Sequence, residues 1–311
     1  MKQHISEIFT KRRNIVLLAV LCTFLWGSGY PGVKIGMELF SISGDAPFSK
    51  ILFAGCRFFL AGLAIIAFLT YRNKKIPMPT KQNLGDILLL GFIYTSMNFF
   101  FFYIGLSHTT GVKGAILNAL GTFIAVILAH FIYQNDKMNI QKSLGCIIGF
   151  AGVVLINVGG GSTMDGGFTF TGEGFMILTA VTFSVGSLLS KRVAGKGEPM
   201  MVTGWQLASG GAVLIVVGML GGGQIAPESW QGIFLFFYLV LLSSVAFVVW
   251  TLLLKYNPVG KVAVFNFLTP IFGTVLSALL LHESILELKN ITALLMVCIG
   301  IGIVNYQKRT T

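Results

Sequence analysis

Charge is what this sequence has least of. Only 11% of its 311 residues are Asp, Glu, Lys or Arg, against about 25% in an ordinary soluble domain. That deficit excludes a chain folded around a core with water on every side. Cysteine is nearly absent too. Cys22, Cys56, Cys146 and Cys298 each fall in an apolar run with no ligand spacing between them, which argues against a zinc site or a disulfide framework and leaves thiols that pack as small apolar groups. The catalytic signatures H-E-x-x-H and G-x-S-x-G are missing. Gly27-x-Gly29-x-x-Gly32 matches a dinucleotide fingerprint by letters, but the physics of that motif needs a preceding strand, and a lipid-length apolar run surrounds it. Gly159–Gly161 lacks the lysine of a phosphate loop. No metal, cofactor or ATPase apparatus is expected, so uphill movement of a solute would draw on an ion gradient or on exchange. The basic segment 1–13 precedes an apolar run without an A-x-A-like cleavage site, and the first span is expected to be retained.

What is present is hydrophobicity, at 55% of residues and a mean hydropathy of +0.83. Apolar stretches recur at 14–35, 48–70, 86–107, 112–133, 140–158, 174–190, 200–220, 232–254, 262–281 and 288–306. A helix crosses the hydrocarbon core with about 20 residues, so ten transmembrane helices are expected, the sixth the weakest by length. Stretches such as 87–93 and 233–242 are continuously apolar or small, without the alternation of a barrel strand. The net charge of +11 is read as topology rather than as nucleic-acid binding. With the N-terminus inside and spans alternating, 17 of the 22 basic residues fall on the inner side. Glu38, Asp45, Asp165, Glu173, Glu228, Glu283 and Glu287 fall outside, as the positive-inside rule requires. Both termini are therefore expected in the cytoplasm of a plasma (inner) membrane protein.

The two halves echo each other. Lys113, Asn118, Leu120, Gly152 and Asn157 recur as Lys261, Asn266, Leu268, Gly300 and Asn305, every pair offset by 148 positions. Trp26 and Gly29 precede Lys34 as Phe183 and Gly186 precede Lys191. The chain divides on this reading into a segment 1–13, a five-helix repeat 14–158, a glycine-rich external linker 159–173, a second repeat 174–306 and a tail 307–311. Five spans per repeat turn the second one upside down, the arrangement of many secondary transporters, with the substrate site near the midplane. The fold class is thus an all-α integral membrane protein of ten helices in two inverted five-helix repeats.

Several short motifs resemble a known family. Leu25-Trp26-Gly27-Ser28 with Lys34, Arg57 with Ala61-Gly62-Leu63, Leu268-Thr269-Pro270-Ile271-Phe272-Gly273, Leu281-His282-Glu283 and Gly300-Ile301-Gly302-Ile303 look like those of the EamA family within the drug/metabolite transporter superfamily. The resemblance covers nearly the whole chain. It implies ten helices, a central cavity between halves, and transport, often outward, of amino acids, related metabolites or drugs. At the repeat offset, Thr122 stands opposite Pro270 and Asn135 opposite Glu283, so the first half does not duplicate what those second-half residues do.

Polar groups deep in lipid are costly and mark candidate sites. Arg57 is the clearest, since a mid-helix Arg costs at least about 2.5–3.5 kcal/mol on insertion scales. It would meet an acidic substrate group, Glu38 or Asp45, unless it snorkels outward or bonds backbone carbonyls. Asn98, Asn118 and Asn266 would bond a substrate or tie helices together. Trp26, Tyr30, Phe183 and Trp250 are aromatic candidates for the cavity wall, whereas most of the run 99–103 is expected against lipid or core. Pro31 should kink the first helix, and Gly121 and Pro270 are further candidates for gating or bending. Lys34, with His282 and Glu283, could couple transport to a proton, although a solvated boundary cap is the plainer role. Expected partners are a small-molecule substrate, the bilayer, and a coupling proton or exchange substrate, with the chain a monomer or weak homodimer. Alternatives are a lipid-headgroup flippase, a drug exporter of the same fold, a non-transporting receptor, and an intramembrane enzyme, which the scattered Ser243, Ser244 and His130 support poorly.

Overall fold

The computed structural model describes residues 8–132, 137–157, 168–195, 197–257, 262, 264–284 and 287–305. Among them no strand occurs. The helices are α1 (Arg12–Leu39), α2 (Pro47–Asn73), α3 (Lys81–Ser107), α4 (Gly111–Ile132), α5 (Ile140–Asn157), α6 (Phe175–Ala194), α7 (Pro199–Leu220), α8 (Trp230–Tyr256), α9 (Leu268–Leu281) and α10 (Leu288–Asn305). Seven spans are long and apolar enough to cross a membrane, with shorter apolar helices at Ile140–Leu155, Phe265–Leu281 and Leu288–Val304. The short sixth span gains length at both ends: a π turn over Phe170–Gly174 leads into α6, which runs on to Ala194. Segments 1–7, 158–167 and 306–311 lie outside the described residues. So do Asn135 and Lys261 of the repeat reading and the side chains of Asn157, Lys191 and Asn305.

Local chemistry sets the helix ends. Pro47 and Pro199 open α2 and α7, where a missing N–H costs no hydrogen bond. Thr110 caps α4 by accepting from the Lys113 amide at 3.1 Å, and Ser229 caps α8 through Gly232. α1 continues as one helix through Pro31, which is buried.

Glycine fixes the closest packing. Gly55 and Gly62 on α2 face Gly204, Gly211 and Gly218 on α7. The step of seven residues within each set is two helical turns, so each set forms one stripe. A Cβ on Gly218 would lie 2.7 Å from that of Leu52, and one on Gly55 would lie 2.6 Å from the Ile215 amide nitrogen. Only glycine permits this approach, the small-residue contact of membrane helices. The contacts run backwards along the partner, Leu52 to Gly218 and Gly62 to Ala208, so α2 and α7 are antiparallel. α5 and α10 pair the same way, with Gly145 on Gly300 and Gly152 on Ala293. The other large contacts come in matching sets: α1 packs on α8 and α9, and α6 packs on α3 and α4.

Besides the π turn before α6, three helices carry non-α backbone in their interior or at their start. α3 is π-helical over Gly91–Met97. α4 is broken at Ala119, between Gly111–Asn118 and Leu120–Ile132. α9 is preceded by a 3-10 turn over Val264–Phe267. The break in α4 therefore falls at Ala119 rather than at Gly121. Pro270 is not a mid-helix breaker either; it sits in the first turn of α9, which tolerates its missing N–H.

Candidate functional site

The three irregular segments converge. Tyr94 from the π segment, Ala119 from the break in α4 and Asn266 from the 3-10 turn all line one cavity of about 120 Å³. Backbone that departs from the α-helix inside a membrane is tolerated where protein or a wet cavity satisfies it, and π segments recur at functional sites. Seven sequence candidates meet on this wall: Trp26 and Tyr30 from α1, Arg57 from α2, Asn98 from α3, Asn118 from α4, Phe183 from α6, and Asn266. Pro270 lines it as well.

Arg57 is 4% exposed and held on several sides. Its Nε donates to the Leu239 carbonyl and to Ser243 Oγ, both at 3.1 Å, and Nη1 donates to Tyr103 Oη at 2.9 Å. The guanidinium carbon lies 4.8 Å from the centroid of the Phe58 ring. No carboxylate among the described residues pairs with it, so the suggested partners Glu38 and Asp45 are set aside. Ser243, considered as a nucleophile, instead orients this guanidinium and donates to Leu239.

The amides are less constrained. Asn118 Nδ2 donates to Tyr30 Oη at 2.8 Å, while its buried Oδ1 has no partner. Asn98, 4% exposed, accepts from Thr182 Oγ1 at 3.3 Å. Aromatic rings form much of the remaining wall. Phe58, Tyr94, Phe99, Phe102 and Phe247 line it beside Trp26 and Phe183. Phe58 and Phe99 stack with centroids 3.7 Å apart. Of the aromatic run in α3, Phe99 and Phe102 face the cavity, while Phe100 and Phe101 pack on Phe175.

Of the aromatic and bending candidates, Trp250, Gly121 and Pro31 lie off the cavity. Trp250 stands one ring behind the wall, edge-on to Trp26 with centroids 5.0 Å apart. Gly121 packs against Phe183 and Ala180, and its carbonyl accepts from Ser184 Oγ at 2.7 Å. Tyr94, Phe58, Phe247 and Thr269 are wall residues that the sequence reading did not single out. Nothing in their spacing separates them from lipid-facing aromatics or core threonine, because which face of each helix meets the cavity is set by its partners from other parts of the chain, and for Tyr94 by a π segment that the pattern does not show.

Beyond the cavity, Glu283 gathers three of its helices at one end. Its two carboxylate oxygens accept the Gly111 and Val112 amides, each at 2.8 Å, and Lys34 Nζ lies 3.5 Å from Oε1. It thereby joins α1, the N-terminus of α4 and the end of α9. A carboxylate on exposed helix N–H groups gains from both hydrogen bonding and the helix dipole. Glu173, 3% exposed, grips the neighbouring turn through Thr109 Oγ1 at 2.8 Å and Thr169 at 2.9 Å. Beside it, burial and the Lys50 charge outweigh Asp45 and hold the His108 imidazole below its usual range. His282, in the left-handed region at φ 54°, closes α9, and among the described residues it carries no ion pair to Glu283. The plain boundary role therefore fits His282, whereas Glu283 ties helices together.

Comparison with known proteins points one way. The model of the EamA-like transporter family matches residues 13–158 and again 170–306. The chain is 26% identical to the transporter YvbV of Bacillus subtilis, over 96% of this chain and 93% of that one. It is 25% identical to a WAT1-related chloroplastic protein of Arabidopsis thaliana, over 91% of this chain and 67% of that one. With the inner membrane transporter YedA of Escherichia coli it shares 24% identity over 71% of this chain and 67% of the relative. A solved crystal structure superposes with a TM-score of 0.65 over 94% of this chain and 96% of that one, at 18% identity, a likeness of fold.

Proposed function

The chain belongs to the EamA-like transporter family and is a multi-pass membrane protein, and from that premise we propose that it is a secondary transporter of small polar or amphipathic metabolites, amino acids among them, working by alternating access. Ten spans form two inverted five-helix halves, 14–158 and 174–306, joined by the external linker 159–173. Both termini are cytoplasmic, and export is the direction that the family resemblance implies.

One observation carries the reading. A cavity holding an arginine and three asparagines lies between helices drawn from both family-matched stretches. Its irregular backbone supports the repeat as well. The break at Ala119 and the end of the 3-10 turn at Phe267 stand at the same 148-residue offset as the sequence pairs. So does the packing. Helices α2 and α7 hold the same place in each half, as do α5 and α10, and each pair runs antiparallel. Equivalent elements that oppose each other in direction fit halves related by an axis in the membrane plane. Such halves can exchange conformations, opening the shared cavity to one side and then the other.

The test is flux. In proteoliposomes, counterflow of labelled metabolites should saturate and should be stimulated by solute on the opposite side. Asn98→Ala should raise KM. Flux at open-channel rates would refute the carrier mechanism.

A further inference from the structure

The cavity wall carries a single formal charge among the described residues. That charge is Arg57; no Asp, Glu, Lys or His lines it. Nε is occupied by Leu239 and Ser243, and Nη1 by Tyr103. Nη2 donates to no described residue. The guanidinium is thus held at Nε and Nη1 and laid on the Phe58 ring, with Nη2 left to spare on a residue that lines the cavity.

No described carboxylate pairs with it, and the two acids clasped or buried near the start of α4 are occupied elsewhere. Glu283 is committed to Gly111, Val112 and Lys34, and Glu173 to Thr109 and Thr169. A cation held in a low-dielectric wall without a counter-charge is unfavourable. A ligand carboxylate restores neutrality and pairs with a planar fork that suits it geometrically. An ammonium on the same ligand would find only neutral acceptors, such as Asn118 Oδ1, and would be repelled by Arg57. The rest of the wall is flat and apolar, including Trp26, Phe99, Phe102 and Phe183.

We propose that this cavity selects amphipathic monocarboxylate anions, an aromatic or similarly flat body bearing one carboxylate and no ammonium, over zwitterions and cations. The proposal rests on the cavity being the transport site, and it narrows that site's substrate class to carboxylate anions, setting the zwitterionic amino acids of the broader reading below them.

Three probes share one phenylalkyl frame and differ in charge: 3-phenylpropionate, L-phenylalanine and phenethylamine. Calorimetric titration of the full-length protein in detergent should give 3-phenylpropionate a Kd at least roughly tenfold lower than L-phenylalanine, with phenethylamine weakest; tenfold is about 1.4 kcal/mol. Arg57→Gln should erase the gap between anion and zwitterion. Arg57→Lys should keep the order with weaker binding. If Arg57→Gln does not fold, the order in the wild-type protein decides. Equal affinities, a preference for the amine, or no binding of 3-phenylpropionate overturns the proposal. Flux through proteoliposomes separates the two readings. Binding in the stated order without flux leaves the site intact and defeats the transporter, whereas saturable flux without the charge order does the reverse.

Discussion

At the scale of single residues, the wall is governed by which polar atoms have partners. Tyr30 Oη receives the Asn118 amide, and both line the cavity. Tyr30→Phe removes that acceptor and leaves Asn118 with neither end bonded to protein. An unpaired buried polar group costs about 1–3 kcal/mol, so the variant should melt earlier in detergent and change KM for the transported solute. The two tryptophans should separate cleanly. Trp26→Ala removes part of the wall and should weaken solute binding. Trp250→Phe keeps an aromatic ring behind Trp26 and should leave affinity within about twofold, a shift well under 1 kcal/mol. Titration of both variants with the same solute checks the distinction. Arg57 shows how far residue logic reaches. Its burial follows from cost alone, but the choice of Leu239, Ser243 and Tyr103 as acceptors depends on three segments that are distant in sequence.

At the scale of elements, two contacts are exposed to test. The stripes of α2 and α7 leave no room for a side chain: a Cβ on Gly62 or Gly211 would run into backbone of the opposite helix. Gly211→Leu should therefore force the helices apart and destabilise the protein by at least about 1–3 kcal/mol, the usual cost of overpacking. Gly85, where a Cβ would meet nothing, should tolerate Ala with no loss, and thermal unfolding of the two variants in one detergent makes the comparison. The second contact is the Glu283 clasp. Its side chain is 12% exposed and that of Lys34 is 23% exposed, so the ion pair itself is worth little after screening, and the two amide bonds carry more. Glu283→Ala should free the ends of α1, α4 and α9 from one another. Spin labels on Ser41 and Ser284 would then report a broader or longer distance distribution than in the wild type, whereas Lys34→Met, which spares the amide bonds, should change it less. An unchanged distribution in Glu283→Ala would mean that the clasp does not hold these helix ends together.

At the scale of the whole molecule, charge and symmetry decide orientation. Reporter fusions after residue 311 should be active in the cytoplasm, and an insertion at residue 165 should be active on the opposite face. The same face for both would remove the inverted arrangement, because an odd number of spans per half is what turns the second half over. In the proposed arrangement, an axis in the membrane plane would set α2 beside α7 and α5 beside α10, the closest-packed helix pairs.

The sequence by itself determined what depends on transfer between water and lipid. Apolar runs long enough for the hydrocarbon core are a local, additive property and marked the helices, and the cost of polar groups in lipid singled out Arg57, Asn98, Asn118 and Asn266, which line the cavity. The glycine stripes of α2 and α7 are not singled out by the sequence, because a seven-residue step becomes a contact only when its partner helix is known. What only the tertiary structure decided is where backbone leaves the α-helix and which rings turn inward. The π segment at Gly91–Met97, the break at Ala119 and the 3-10 turn before Leu268 arise because the enclosed cavity lets backbone polar groups depart from helical pairing, and helical periodicity cannot register that permission. Tyr94 therefore reached the site unannounced, while Phe247 on the regular helix α8 was turned inward by packing and Trp250 fell one ring short. Glu283 differs for the same reason. Its partners, the first amides of α4 and the end of α1, lie more than 170 positions away, and only folding brings a helix N-terminus to a carboxylate.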